Sequence, residues 1–214
     1  MSTVVYLLDR IPFKNYNIYV SDSSNLFDKP SFKEGLRVDW KDEHGFDIDL
    51  SKRFNESKQI TLDCFIPSTS FKDCIEKFNT FLNEIDKRGS RRLSVIAGEL
   101  RLEFQLFRSD SAEIKLQYDD VTKVGLFKLK LVENMPVKRI LKATNQSTTI
   151  TINSPKILVI NWGDGTERYT QPGNNTYTKG YLNFQADQYF PIIMGDIDSI
   201  TSFTSNTTVL WNKF

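Results

Sequence analysis

The chain has 214 residues, enough for one large domain or two unequal ones with a real core and no covalent staples. Its 28 basic and 27 acidic residues leave a formal charge of +1, so no global field draws it onto nucleic acid or anionic lipid, and no sequence-specific nucleic-acid partner is expected. Only two cysteines are present, Cys64 and Cys74, which argues against a secreted disulfide framework; both read as small apolar core residues.

In chain order, the apolar run Val4–Leu8 stops at Asp9 and has neither a basic leader nor a small-residue cleavage site, so a signal peptide is not expected. No window approaches the roughly 20 consecutive apolar residues of a membrane helix; the expectation is a soluble chain made in a bacterial cytoplasm. Strict alternation then recurs at Leu36, Val38, Trp40; Phe46, Ile48, Leu50; Ile60, Leu62, Cys64, Ile66; Leu100, Leu102, Phe104, Leu106; Ile114, Leu116, Tyr118; and Phe127, Leu129, Leu131. Period two predicts half-buried antiparallel strands. The polar stretch Lys41–Gly45, with the sole histidine, His44, predicts a hairpin turn between the first two runs.

One helix interrupts the strands. Phe71, Cys74, Ile75, Phe78, Phe81, Leu82 and Ile85 make a single apolar stripe and predict a helix over about 70–88. Ser70 with Asp73 is a capping pair, and Gly89, behind Lys87 and Arg88, is the expected C-cap. The stripe has no helical partner, so the helix must lie on a sheet. The basic cluster Lys87, Arg88, Arg91, Arg92 is read as cations favoured at a helix C-terminus rather than as a phosphate site.

Charge density then falls. The first 142 residues hold 24 basic and 22 acidic side chains, whereas the last 72 hold 4 and 5, with 25 Ser, Thr and Asn. That composition predicts a second, all-β module with many turns. The expected division is residues 1–138 and 143–214, with a linker around Pro136–Lys142.

Few residues suggest chemistry. A lone His44 gives no triad and no zinc set. The pairs Asp47 and Asp49, and Asp119 and Asp120, fall on a strand's outward phase and in a turn, which suits solvated faces better than acid–base catalysis. Asp164, Asp196 and Asp198 offer oxygens of the kind calcium takes, but their spacing is not that of an EF-hand. Asn55, Asn145, Asn174 and Asn206 begin Asn-X-Ser/Thr triplets and read as surface polar residues. No catalytic residue, metal or cofactor is expected, and the chain is read as not an enzyme.

The segments Gly35–Trp40, Gly45–Leu50, Gln59–Ile66, the helix, Arg91–Val95 and Gly125–Glu133 follow one another in an order that resembles the N-terminal domain of phage distal tail (Dit) proteins. That resemblance implies a β-sandwich or split barrel with one flanking helix, related to the tail-tube fold. It also implies a virion component, of phage or prophage, that assembles as a ring, by family a hexamer, joining the tail tube to the tip, hub or baseplate. In the second part, Ile157–Thr166 ends in Trp162-Gly163-Asp164-Gly165-Thr166, which resembles a PKD-like module, where this turn is structural. Asp164 between two glycines suits a tight turn whose carboxylate accepts backbone N–H bonds, and Trp162 supplies buried area. The alternative is a carbohydrate- or host-surface-binding module, with Tyr169, Tyr177, Tyr181 and Tyr189 as a sugar platform.

Overall fold

The computed structural model describes residues 4–35, 37–42, 44–51, 53–109 and 114–213. β1 (Val4–Leu8) reverses at Asp9-Arg10, both at positive φ, into β2 (Ile11–Pro12), the geometry a two-residue hairpin needs. A 3-10 turn (Phe13–Tyr16) leads to β3 (Tyr19–Ser24). A long excursion carries only the short β4 (Arg37–Val38) and β5 (Asp47–Ile48). Then come β6 (Lys58–Pro67), α1 (Phe71–Ile85), β7 (Arg91–Ala97), β8 (Leu100–Arg108), β9 (Gln117–Asp119) and β10 (Val124–Glu133).

These strands form an antiparallel sheet in the order β2-β1-β7-β8-β10-β6-β3, with β9 added on β10. Among the described residues β8 and β10 pair through Leu131 with Arg108 and Val132 with Phe107, extended by Ser109 N donating to Lys130 O at 3.3 Å, so the sheet has two limbs joined by a narrow seam. Both limbs supply one core: Leu93, Val95, Phe104 and Leu106 from one, Ile60, Leu62, Ile66, Phe127 and Leu129 from the other. The Tyr6 hydroxyl reaches Ser23 Oγ at 3.4 Å, linking β1 to the edge strand β3 of the opposite limb. The result is a split barrel with α1 against its interior. Phe81 meets Phe13 edge-on at 4.9 Å between ring centroids, and Phe78 meets Phe127 at 5.1 Å.

The Ser70 hydroxyl caps α1 by accepting from Asp73 N at 3.2 Å, while Asp73 reaches back to Thr69 N at 2.8 Å. Cys74, Phe78, Phe81 and Ile85 are buried and Ile75 and Leu82 half-buried. Phe71, expected on the same stripe, is 53% exposed: it sits at the first turn, beyond the sheet, with its ring 5.2 Å from that of Tyr118. The helix also ends earlier than expected. Asp86 is the C-cap, its carboxylate held by Arg108 Nε at 2.6 Å and Nη2 at 2.7 Å, and Gly89 (φ +90°) serves the turn into β7. Cys64 and Cys74 are free and buried, and burial pushes the Cys64 thiol up to about 12. Cys74 Sγ lies 2.3 Å from where a Cβ on Gly125 would stand, so this strand position requires glycine.

The second half is a two-sheet sandwich. β11 (Lys138–Lys142), β13 (Val159–Asn161), β14 (Glu167–Tyr169), β16 (Ile192–Met194) and β18 (Thr208–Asn212) pair in the order β14-β13-β16-β11-β18. β15 (Gly173–Gly180), β12 (Ser147–Ser154) and β17 (Ser202–Ser205) form the facing sheet. Leu141, Ile150, Ile152, Leu158, Ile160, Trp162 and Ile193 fill the space between them. The expected linker Pro136–Lys142 is therefore mostly strand, and residue 138 belongs to the second sheet rather than the first unit. Its flanking lysines conceal Ile140 and Leu141, which are buried on opposite faces of that sheet.

Candidate assembly surface and the joint between the halves

Between β3 and β6 the chain leaves the barrel as a ribbon. Its base is a short ladder in which Lys33 N donates to Phe54 O and Glu56 N to Ser31 O, both at 2.8 Å. Farther out, β4 pairs with β5 in the register Arg37 with Ile48 and Val38 with Asp47. The hairpin expected around the polar stretch 41–45 is thus present, with His44 exposed at its turn; Leu36 lies outside the described residues. The expected half-burial is not. Phe27, Phe32, Trp40, Phe46, Ile48, Leu50 and Phe54 range from 42% to 63% exposed, and none belongs to the barrel core. A two-stranded ribbon has no third layer to cover either face, which is why alternation does not bring burial here.

The ribbon's side chains partner one another. The Arg37 guanidinium lies 3.9 Å from the Phe46 ring centroid, Arg53 lies 5.2 Å from that of Phe32, and Trp40 Nε1 donates to Asp47 at 3.1 Å. A run of large exposed aromatic residues standing away from the core, with its one indole N–H satisfied, has the chemistry of a protein-binding surface.

The joint between the halves has a different character. The outward faces of β7 and β8 carry Arg92, Ser94, Glu103 and Gln105, all buried. Arg92 donates through Nε to Gln105 at 3.0 Å, through Nη1 to Phe190 O at 2.7 Å and through Nη2 to Asn161 Oδ1. Glu103 accepts from Ser94 at 2.7 Å and from Arg101 Nε at 2.6 Å. Lys138 pairs with Glu133 inside the same seam, and Trp211 Nε1 donates to Arg101 O at 3.0 Å. Burial pulls the Lys138 ammonium and the Arg92 guanidinium below their usual values, opposed by Glu133 and Glu103 respectively. Arg92 is therefore no helix-capping cation. It sits on β7, as does Arg91, which pairs with Asp9; only Lys87 pairs locally on the helix end, with Glu84 at 2.5 Å. Sequence reasoning missed this joint. Its signal was polar residues at successive outward positions of two paired strands, Arg92 and Ser94 on β7 and Arg101, Glu103 and Gln105 on β8, which alternation alone reads as solvent-facing.

The turn Trp162–Thr166 connects β13 to β14. Gly163 and Gly165 take φ of +81° and +90°, Trp162 N donates to Thr166 O at 3.0 Å, and Trp162 is buried. Asp164 Oδ1 accepts from Thr166 N at 3.0 Å and from its hydroxyl at 2.6 Å, and Lys179 lies 2.7 Å from Oδ2. Burial alone would raise the Asp164 carboxyl; Lys179 and Thr166 outweigh it and hold it below the usual carboxylate value. Asp198 is paired with Lys213 at 2.6 Å, and no group of three metal-ligating side chains occurs among the described residues.

The four tyrosines proposed as a sugar platform are not brought together on a surface. Tyr181 and Tyr189 are buried and stacked on each other at 4.1 Å, with the Tyr181 hydroxyl donating to Trp162 O. The Tyr177 hydroxyl accepts from Gln171 N, and only Tyr169 is freely exposed, at 61%. A sandwich this small draws its large rings into its core.

The fold is thus mostly β, a split barrel with one long helix joined to a β-sandwich. It is similar to the crystal structure of Dit from phage SPP1, described as a paradigm of the hub adsorption apparatus in phages infecting Gram-positive bacteria. The TM-score is 0.53 at 10% sequence identity, covering 90% of this chain and 98% of that one. The uncovered tenth is far shorter than the second half, so the likeness reaches into both halves. No family model matches the chain, and no curated protein matches it in sequence. Among the described residues no helix is long and apolar enough to cross a membrane.

Proposed function

We propose that this chain is a structural subunit of the distal end of a phage or prophage tail. It assembles with copies of itself into a ring, a hexamer by the Dit resemblance, that joins the tail tube to the tip or hub proteins. Its place is the virion tail, after synthesis in a bacterial cytoplasm, and its role is assembly rather than catalysis.

One observation carries the reading: the likeness to SPP1 Dit spans the barrel and the sandwich together. The ribbon between β3 and β6 supports self-assembly, because its exposed aromatics need a partner and a head-to-tail contact repeated by rotation closes into a ring. The second half, with its Trp162–Thr166 turn, is read as a PKD-like sandwich built into the subunit. The glycan-binding alternative loses its platform with Tyr181 and Tyr189 in the core.

Light scattering on the purified chain across a concentration series, alone and with the adjacent tube protein, followed by particle imaging, tests this. Closed rings with an open lumen are expected, at least with the tube protein present, since a neighbour that binds only the ring stabilises it by mass action. A strict monomer in both conditions would overturn the proposal.

A further inference from the structure

We propose that the cavity where the two halves meet binds a compact dianion, either free phosphate or the phosphate of a small sugar ester. The cavity has a volume of about 480 Å³ and opens between the β1–β2 turn, the entry to β7 and the Trp162–Thr166 turn. That size suits a small ligand.

Four arginines line it, Arg10, Arg88, Arg91 and Arg92, against three acidic residues, Asp9, Asp164 and Glu167. Each carboxylate has a partner, although Asp9 Oδ2, which faces Arg91, accepts no hydrogen bond among the described residues. Asp9 pairs with Arg91 and accepts from the Arg92 backbone N–H at 2.9 Å, Asp164 holds Lys179 and Thr166, and Glu167 accepts from Asn161 Nδ2 at 3.0 Å.

The cations are less fully matched. Arg92 is committed to Gln105, Asn161 and Phe190 O. Arg91 Nε, however, is a buried donor with no acceptor among the described residues. Arg10 and Arg88 are exposed, and neither has a carboxylate partner there; Arg10 only lies 5.2 Å from the centroid of the Tyr189 ring. Three separate donor groups in a lining of four arginines against three acidic residues suit an oxyanion with several acceptors, and guanidinium matches phosphate geometry well.

The walls also permit close approach. Gly89 and Gly165, both at φ +90°, line the cavity and carry no side chain to narrow it. This inference stands apart from the tail-assembly reading and can fail or succeed without it.

The test is isothermal titration of the full chain at constant ionic strength with inorganic phosphate, glucose 6-phosphate, glucuronate and glucose. Saturable binding of phosphate or of glucose 6-phosphate is expected, with no binding of glucose. Tighter binding of the ester assigns a sugar phosphate, and equal or tighter binding of the ion assigns free phosphate. The double variant Arg10→Gln/Arg88→Gln should weaken binding by about tenfold or more while its ligand-free melting temperature stays unchanged, since both side chains are exposed. Absence of saturable binding, glucuronate binding as tightly as phosphate, or full affinity in the folded double variant would each overturn the proposal.

Discussion

The barrel core and the ribbon between β3 and β6 are built from the same residue types and treat them in opposite ways. Inside the barrel, Phe78 and Phe81 of α1 meet Phe13 and Phe127 ring to ring. In the ribbon, Phe32, Trp40, Phe46 and Phe54 stand about half exposed, steadied by arginines of their own segment. Aromatic content therefore does not locate a core. What decides burial is whether a second layer exists, and the ribbon has none among the described residues.

The contrast breaks most sharply at Phe81, fully buried among Phe13, Tyr16 and Phe127. Phe81→Ala should cost about 3–5 kcal/mol in denaturant unfolding, as cavity-forming aromatic deletions do. A loss under about 1 kcal/mol would mean that α1 does not close the barrel. Gly125→Ala should follow at about 1–3 kcal/mol, because its Cβ would meet Cys74 Sγ. Adding Cys74→Ala should recover part of that loss, and additive losses would contradict the packing described.

The sandwich turn is an intermediate case, with one buried ring and polar tethers. Asp164→Ala should cost about 1 kcal/mol at neutral pH through its hydrogen bonds to Thr166. The folded carboxyl titrates below the unfolded one, so its contribution is present above about pH 4 and is lost as pH falls through the folded value. Acid titration of wild type and variant should converge at low pH; a constant difference would contradict the pairing with Lys179.

Strand existence was legible because Ile60, Leu62, Cys64 and Ile66, and Phe127, Leu129 and Leu131, alternate with residues that are polar except for Phe65, and one face is buried. The helix was legible from its stripe, although its end was misplaced because the basic run after Asp86 resembles a C-terminal turn. The joint was not legible. Arg92, Glu103 and Gln105 occupy outward positions whose burial depends on the second half packing over them, a long-range event that local period does not encode. The ribbon failed for the converse reason: Trp40 and Phe46 alternate as a buried strand would, but no layer covers them. β11 was hidden because Lys138 and Lys142 frame Ile140 and Leu141, and a buried Lys138 needs Glu133, whose partnership five residues apart in sequence had no signature.

The smallest expected effect on stability falls on the ribbon, where the central claim of self-assembly is tested most directly. Substituting Trp40 and Phe46 by Ser should change the stability of the isolated subunit by less than about 0.5 kcal/mol each, because neither side chain contributes to the core. Sedimentation velocity of wild type and of the Trp40→Ser/Phe46→Ser variant, at matched high concentration and with the neighbouring tube protein, then decides. The account predicts a ring-sized species for wild type and a folded monomer for the variant. Ring assembly undiminished in the variant, or wild type monomeric throughout, would contradict it.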